Sequence, residues 1–219
     1  MAISKLNFNS LNVTPTASKG IGFDSGADDL EASFSGGSMV FIKKLTASSS
    51  GTLDFVGGAS GVVFDSTYKE YVFICNDIHP SASNPNFGFQ VDVGTGTSYA
   101  QTITSTYFAA YQSEDGGTAA LEYIAGQDQA QGTGLQTLAD QIGNGNDEST
   151  AGMLHIFNPS STTFVKHFIG RFQGYNGSDY STDLNIAGYI NTTTALTRVR
   201  FKFSSGDIDA GTITLYGIT

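Results

Sequence analysis

From Gly37 to the end of the chain, short apolar segments alternate inward and outward residues and are cut off after five to eleven positions by Gly, Ser, Asn or Pro. SMVFIKKLTA (38–47), TLDFVG (52–57), GVVFD (61–65), KEYVFICNDI (69–78), NFGFQVDV (86–93) and SYAQTITSTYF (98–108) open the series. GMLHIFN (152–158), TFVKHFIGRFQ (163–173), DLNIAGYIN (183–191), LTRVRFKFSS (196–205) and GTITLYGI (211–218) complete it. Period-two alternation with β-branched and aromatic residues specifies half-buried strands, and a sustained apolar period of 3.6 is missing. A dozen or so strands, roughly 8–15 residues apart, predict an all-β chain in which two antiparallel sheets pack as a β-sandwich, with a jelly roll as the expected topology.

Two stretches are harder to read. In FVKHFIGRF, Phe164, Phe168 and Phe172 recur every four residues, as on a helix. The β-branched Thr163, Val165 and Ile169 favour a strand, which also sets all three rings on one face. Between 118 and 142, Leu121, Ile124, Leu135, Leu138 and Ile142 have partial helical spacing, but Gly126, Gly132 and Gly134 interrupt it. Short strands or one short helix are expected there, within a long excursion over about 112–150. Residues 1–36 are loosely patterned and read as an N-terminal arm, with an extra strand in KLNFN; the sandwich domain spans 37–219.

Charged residues make up only 14% of the chain against about 25% in ordinary soluble domains, so the outer faces must be hydroxylated rather than charged. Asp and Glu number 20 against 10 Lys and Arg, and the net charge of −10 repels phosphate backbones and argues against nucleic acid as a partner. Cys75 is the only cysteine; it excludes a disulfide framework and reads as a small buried hydrophobe. MAISKLNFNSLNV lacks the basic and apolar regions of a cleaved signal, and no apolar run approaches the ~18 residues of a membrane span. Synthesis in a cytoplasm without membrane insertion is the expectation.

Catalytic signatures are missing: no GxSxG, strand-linked GxGxxG, P-loop or HExxH. His79, His155 and His167 have no carboxylate at ligand-like spacing and read as structural or surface residues, with His79 in a turn. Two acidic, Gly-containing groups, Asp24, Asp28, Asp29 and Glu31, and Asp147 with Glu148, resemble Ca²⁺-holding loops only in their oxygen content. Solvated turns are the simpler reading, and no cofactor is expected. In the loop GYNGSDYS, Tyr175, Asn176, Asp179 and Tyr180 form a rim of rings and polar groups suited to a glycan or a protein neighbour. Arg198, Arg200 and Lys202 alternate with Val199, Phe201 and Phe203, which makes a basic row on the outward face of a strand. Asp207 and Asp209 in the following turn are its expected local partners. The row reads first as a solvated strand face, then as a docking strand for an acidic protein surface and last as a site for phosphate or anionic sugar. Charge reversal at Arg198 and Arg200 is expected to leave the domain folded.

The runs FDSTYKEYVFICNDIHPS, LHIFNPSSTTFVKHFIGRF and VRFKFSSGDIDAGTITLYGI resemble a family of virion structural proteins of marine tailed bacteriophages, of tail-fibre or head-decoration type. The similarity spans about Gly37 to Thr219. It implies a non-enzymatic β-rich part of the particle exterior, located in the virion. Such a part works through contacts with capsid or tail proteins in a symmetric homo-oligomer, of which a trimer is the expected form. The resemblance transfers no active residues. A host-recognition module that binds surface glycan is the alternative, and a glycan-cleaving enzyme ranks below both.

Overall fold

The computed structural model describes Gly20–Phe23, Leu30–Phe34 and residues 38–219, the first two as backbone. The KLNFN segment, Asp24, Asp28, Asp29 and the side chain of Glu31 lie outside the described residues. Two compact units divide after Val40, inside the strand Met39–Thr46, most of which belongs to the second. In the first, β1 (Gly20–Phe23) and β2 (Leu30–Phe34) pair antiparallel, Phe23 opposite Leu30.

The second unit is built from antiparallel strands in two packed sheets, a β-sandwich, and among the described residues there is no helix. Its strands are β3 (Met39–Thr46), β4 (Leu53–Val56), β5 (Glu70–Pro80), β6 (Phe87–Val93), β7 (Ile103–Ser113), β8 (Ala119–Tyr123), β9 (Ala130–Gly132), β10 (Gln136–Ala139), β11 (Thr150–Phe157), β12 (Lys166–Asn176), β13 (Tyr180–Ile190), β14 (Leu196–Phe203) and β15 (Ile208–Ile218). The larger sheet runs β3-β15-β5-β11-β12-β13-β7-β8, with β9 also on β7, and the smaller runs β10-β6-β14-β4.

Period-two alternation converts directly into a core. Along β12, Lys166, Phe168, Gly170, Phe172 and Gly174 are buried while His167, Ile169, Arg171 and Gln173 are exposed. Rings from the two sheets meet edge to face: Phe168 on Phe89 at 5.1 Å, Phe73 on Phe55 at 5.2 Å, and Phe172 tilted on Phe87 at 6.1 Å between centroids. Phe201 joins them, 5.2 Å from Phe73 and 6.0 Å from Phe87. Each ring contributes its buried area plus about 0.5–1.5 kcal/mol for the aromatic contact. Two glycines make room for these rings. Phe168 is paired with Gly188 and Phe172 with Gly152, and an added Cβ would stand 2.7 Å and 2.6 Å from those rings.

Three local expectations are corrected, and the open choice over 118–142 is resolved in favour of short strands. GVVFD forms no strand: positive φ at Gly58, Ser60 and Gly61 turns the chain, and Val62 N–H donates to the Ala59 carbonyl within that turn. Val62 and Phe64 are buried all the same, with Phe64 edge-on to Tyr71. Phe164 does not join Phe168 and Phe172; the Ser161 hydroxyl accepts from the backbone N–H of Thr163 and Phe164, which delays β12 to Lys166 and leaves Phe164 69% exposed. His79 lies within β5 rather than in a turn, since the strand continues to Pro80. The 118–142 stretch is short strands, and Leu121 faces solvent while Leu138 and Ile142 are in the core.

Two buried polar groups are tied in. Cys75 is enclosed and burial raises its thiol pKa, as expected of an inert thiol. Lys166 is fully buried, its Nζ donating to the carbonyls of Thr192 at 3.1 Å and Thr194 at 2.7 Å, and burial lowers its pKa. Because these rings set the sheet spacing, Phe201→Ala is expected to cost about 3–5 kcal/mol and Gly188→Ala about 1–3 kcal/mol in denaturant melts. Melts unchanged in both variants would contradict this account of the core.

Candidate functional site

Three surfaces concentrate chemistry, and the basic row is the first. Arg198, Arg200 and Lys202 alternate with buried Val199, Phe201 and Phe203 on β14, but all three are half-buried rather than free. The chain after β6 folds back over the outer face of the small sheet, pinned by Asp92, whose carboxylate accepts from the backbone N–H of Val93 and Tyr99, both at 2.9 Å. Tyr99 is thereby placed flat on Arg200, with the guanidinium 3.7 Å from the ring centroid. Arg200 Nε donates to Asp54 Oδ1 at 2.8 Å, and that carboxylate also accepts from Thr52 at 2.5 Å and Tyr99 at 2.8 Å. Burial disfavours the ionised Asp54, but these hydrogen bonds and the Arg200 charge outweigh it and lower its pKa. The partner of Arg200 is thus Asp54 on β4, not a turn aspartate: Asp209 lies 3.7 Å from His79, and its Oδ1 accepts from the Ser49 hydroxyl. Asp207 sits at the turn, where its N–H is held by the Ser81 hydroxyl.

The second surface is the outer face of the large sheet. Phe108, Met153 and Ile169 point outward and are 43%, 44% and 47% exposed, around a shallow depression of about 340 Å³ that Ala187 also lines. Polar pairs frame it: His155 Nδ1 is hydrogen-bonded to Glu70 at 2.5 Å, and Arg171 is ion-paired with Asp183 through two donors at 2.9 and 2.8 Å. The outer side of an antiparallel sheet is ordinarily polar, which makes this apolar strip the exception. Its signal in the sequence is apolar residues at both parities of one strand, as in Met153 beside Leu154 and Ile169 beside Phe168.

The third surface begins with the GYNGSDYS loop. Hairpin register pairs Asn176 with Tyr180 and Tyr175 with Ser181. Tyr180 and Asn176 therefore share the inner face, while Tyr175 belongs to the outer one, so the four residues do not form one platform. Asn176 Oδ1 accepts from the N–H of Ser178 and Tyr180 and shapes the turn, and the Tyr175 hydroxyl lies 3.3 Å from Asp179. Burial, then Glu114, pushes the Tyr175 phenol up to about 12. Tyr180 instead meets Tyr111 edge to face at 5.7 Å, at the floor of a cleft of about 340 Å³. Glu122 accepts from the Tyr111 hydroxyl at 2.6 Å, and Asp140 from Tyr107 at 2.9 Å. Burial raises the Asp140 pKa. Tyr111, Glu122 and Asp140 come from three separate segments, so nothing local in the sequence unites them.

Among the described residues, no group of three or more His, Cys, Asp or Glu is gathered as a metal site. In the Asp147–Glu148 loop the Glu148 carboxylate accepts from the Gly145 N–H. No family model matches this chain, and no curated protein or solved structure matches it either.

Two outcomes follow from these environments. Arg200→Glu sets a carboxylate against Asp54 under Tyr99 and is expected to cost about 2 kcal/mol or more, whereas Lys202→Glu stays within about 0.5 kcal/mol. Equal melts for the two variants would return the row to a free surface. Asp140, with its pKa raised above the ordinary 3.8, loses stability as pH climbs through the raised value, because the unfolded carboxyl ionises more readily. Asp140→Asn is therefore expected to melt above the parent chain near about pH 7, with the gap closing below about pH 4.

Proposed function

We propose that this chain is a non-enzymatic structural protein on the exterior of a tailed-phage particle, a head-decoration or short tail-fibre subunit that docks through its outer sheet face in a symmetric oligomer. The observation that carries the docking reading is the exposed strip of Phe108, Met153 and Ile169 on a broad antiparallel face. Covering three such side chains gains about 25 cal/mol per Å² of apolar area removed from water, and a flat sheet lets a neighbour bury them together. The Arg171–Asp183 charges are already paired within the chain, so a neighbour can approach that edge without stranding them.

The virion placement rests on the strand-and-turn phrases that resemble marine phage structural proteins. The strand order supports it. With β7–β9 and β12–β13 set aside, eight strands remain in the orders β3-β15-β5-β11 and β4-β14-β6-β10. First pairs with last and second with seventh, which reads as a jelly roll whose larger sheet has been widened by two insertions. Virion exteriors and oligomeric surfaces commonly use that frame.

Copy number in purified particles tests the placement: hundreds of copies mean head decoration, a few tens or fewer mean tail, and absence from particles overturns it. For the contact, Met153→Asp with Ile169→Asp is expected to leave the melt within about 0.5 kcal/mol, since both side chains are exposed. The same pair should convert a sedimenting oligomer to monomer and abolish incorporation. An oligomer indifferent to both changes would remove this face from the proposal.

A further inference from the structure

We propose that the inner face of the large sheet, where it overhangs the small one, is a binding cleft for a neutral polysaccharide chain. The overhang follows from strand count. The small sheet ends at β10, which packs opposite β12 and β13, while the large sheet continues through β7 to β8. Inward residues beneath the small sheet are Phe168, Phe172, Leu184 and Ile186, all buried. On β7 the inward Ile103, Tyr107 and Ala109 are still buried, and beyond them, toward the strand ends, the same inward parity carries Tyr180 on β13, Tyr111 on β7 and Glu122 on β8. An exposed inner face would cost free energy if it stayed apolar, and here its chemistry turns polar where burial ends.

The change is specific in kind. Two tyrosine rings at a 5.7 Å edge-to-face contact offer apolar faces for the C–H side of a sugar, with Glu122 hydrogen-bonded to one of them. Asp140 forms the wall, oriented by the Tyr107 hydroxyl. Gln127 is fixed beside it, its Oε1 accepting from Asn86 at 2.8 Å and Thr137 at 3.0 Å. Rings flanked by oriented carboxylates and amides are acceptors and donors for hydroxyl groups. The cleft of about 340 Å³ shares Thr118, Ser178 and Tyr180 with a second depression of about 470 Å³, so the two adjoin. Two adjoining depressions suit a chain of several rings better than a single one. Lys and Arg are missing from the described lining of both parts, while Glu122, Asp140, Glu114, Asp115 and Asp179 are present. Sulfated, phosphorylated and uronic sugars are repelled, and a neutral glycan is the class that remains.

This groove lies on the opposite face of the sheet from the Phe108–Met153–Ile169 strip, so either proposal can fail alone. The test is an array of neutral and anionic glycans probed with the full chain, followed by titration of the isotope-labelled protein with the best neutral oligosaccharide. Binding of at least one neutral glycan, with amide shifts at Tyr111, Thr118, Ser178 and Tyr180, is expected. Tyr180→Ala and Glu122→Gln should each weaken it by about tenfold or more, equivalent to about 1.4 kcal/mol. Tyr175→Ala, on the outer side of the hairpin, should leave it unchanged. Amide spectra of each variant establish that it is folded. Binding of no neutral glycan, preference for anionic glycans, equal shifts from Ca²⁺ alone, or indifference to both substitutions would each overturn the proposal.

Discussion

The contact between Phe168 and Phe89, repeated as Phe172 on Phe87 and Phe73 on Phe55, holds the two sheets face to face. Rings of this size set the separation, and each must land on its own partner. Because strand period is two, a one-residue slip of β12 would carry Phe168 and Phe172 to solvent and bring Ile169 and Arg171 inward. Gly188 and Gly152 fix the register from the other side, since only a position without a side chain leaves room for the ring beside it. The core is therefore specified by cross-strand pairs as well as by hydrophobicity.

With that register in place, unequal sheet width distributes the chemistry. A four-stranded sheet cannot cover the inner face of one twice as wide. Strand β7 then serves three environments: Tyr107 in the core, Phe108 outward in the apolar strip, and Tyr111 inward in the open cleft. Strand β13 does the same with Ile186, Ala187 and Tyr180. The two proposed surfaces use opposite sides of the same strands, with turns and connecting segments completing the groove.

Much of this was legible from short-range pattern. Strand positions, the burial of Cys75 and the two-sheet architecture all rest on alternation within ten residues. What failed depended on contacts distant in sequence or on turn chemistry. Val62 and Phe64 read as a strand because their apolar side chains are indeed buried, yet the turn around Ser60 withholds their backbone from a ladder. The row on β14 read as open because its cover comes from Tyr99, about a hundred residues earlier. Tyr175 and Tyr180 read as one platform because they are neighbours in sequence; the pairing of Asn176 with Tyr180 sends them to opposite faces. The cleft was invisible since its rings and carboxylates converge from β7, β8, β13 and the chain after β10.

Charge ties the two surfaces together. Several of the ten basic residues are already committed within the fold: Arg200 to Asp54, Arg171 to Asp183, and Lys166 to two backbone carbonyls. The acidic excess is thus left uncompensated along the groove, where Glu114, Asp115, Glu122, Asp140 and Asp179 gather. Recognition there cannot draw on ion pairing with an anionic sugar and must come from ring contact and hydrogen bonds to hydroxyls, each of which competes with water and nets little. A single groove of this kind binds weakly, and gains most when several copies reach one polymer at once, because the second attachment is intramolecular. In the proposed assembly through the apolar outer face, the inner groove of every subunit stays open. The proposed weak glycan site and the proposed association face are, on these energetics, complementary.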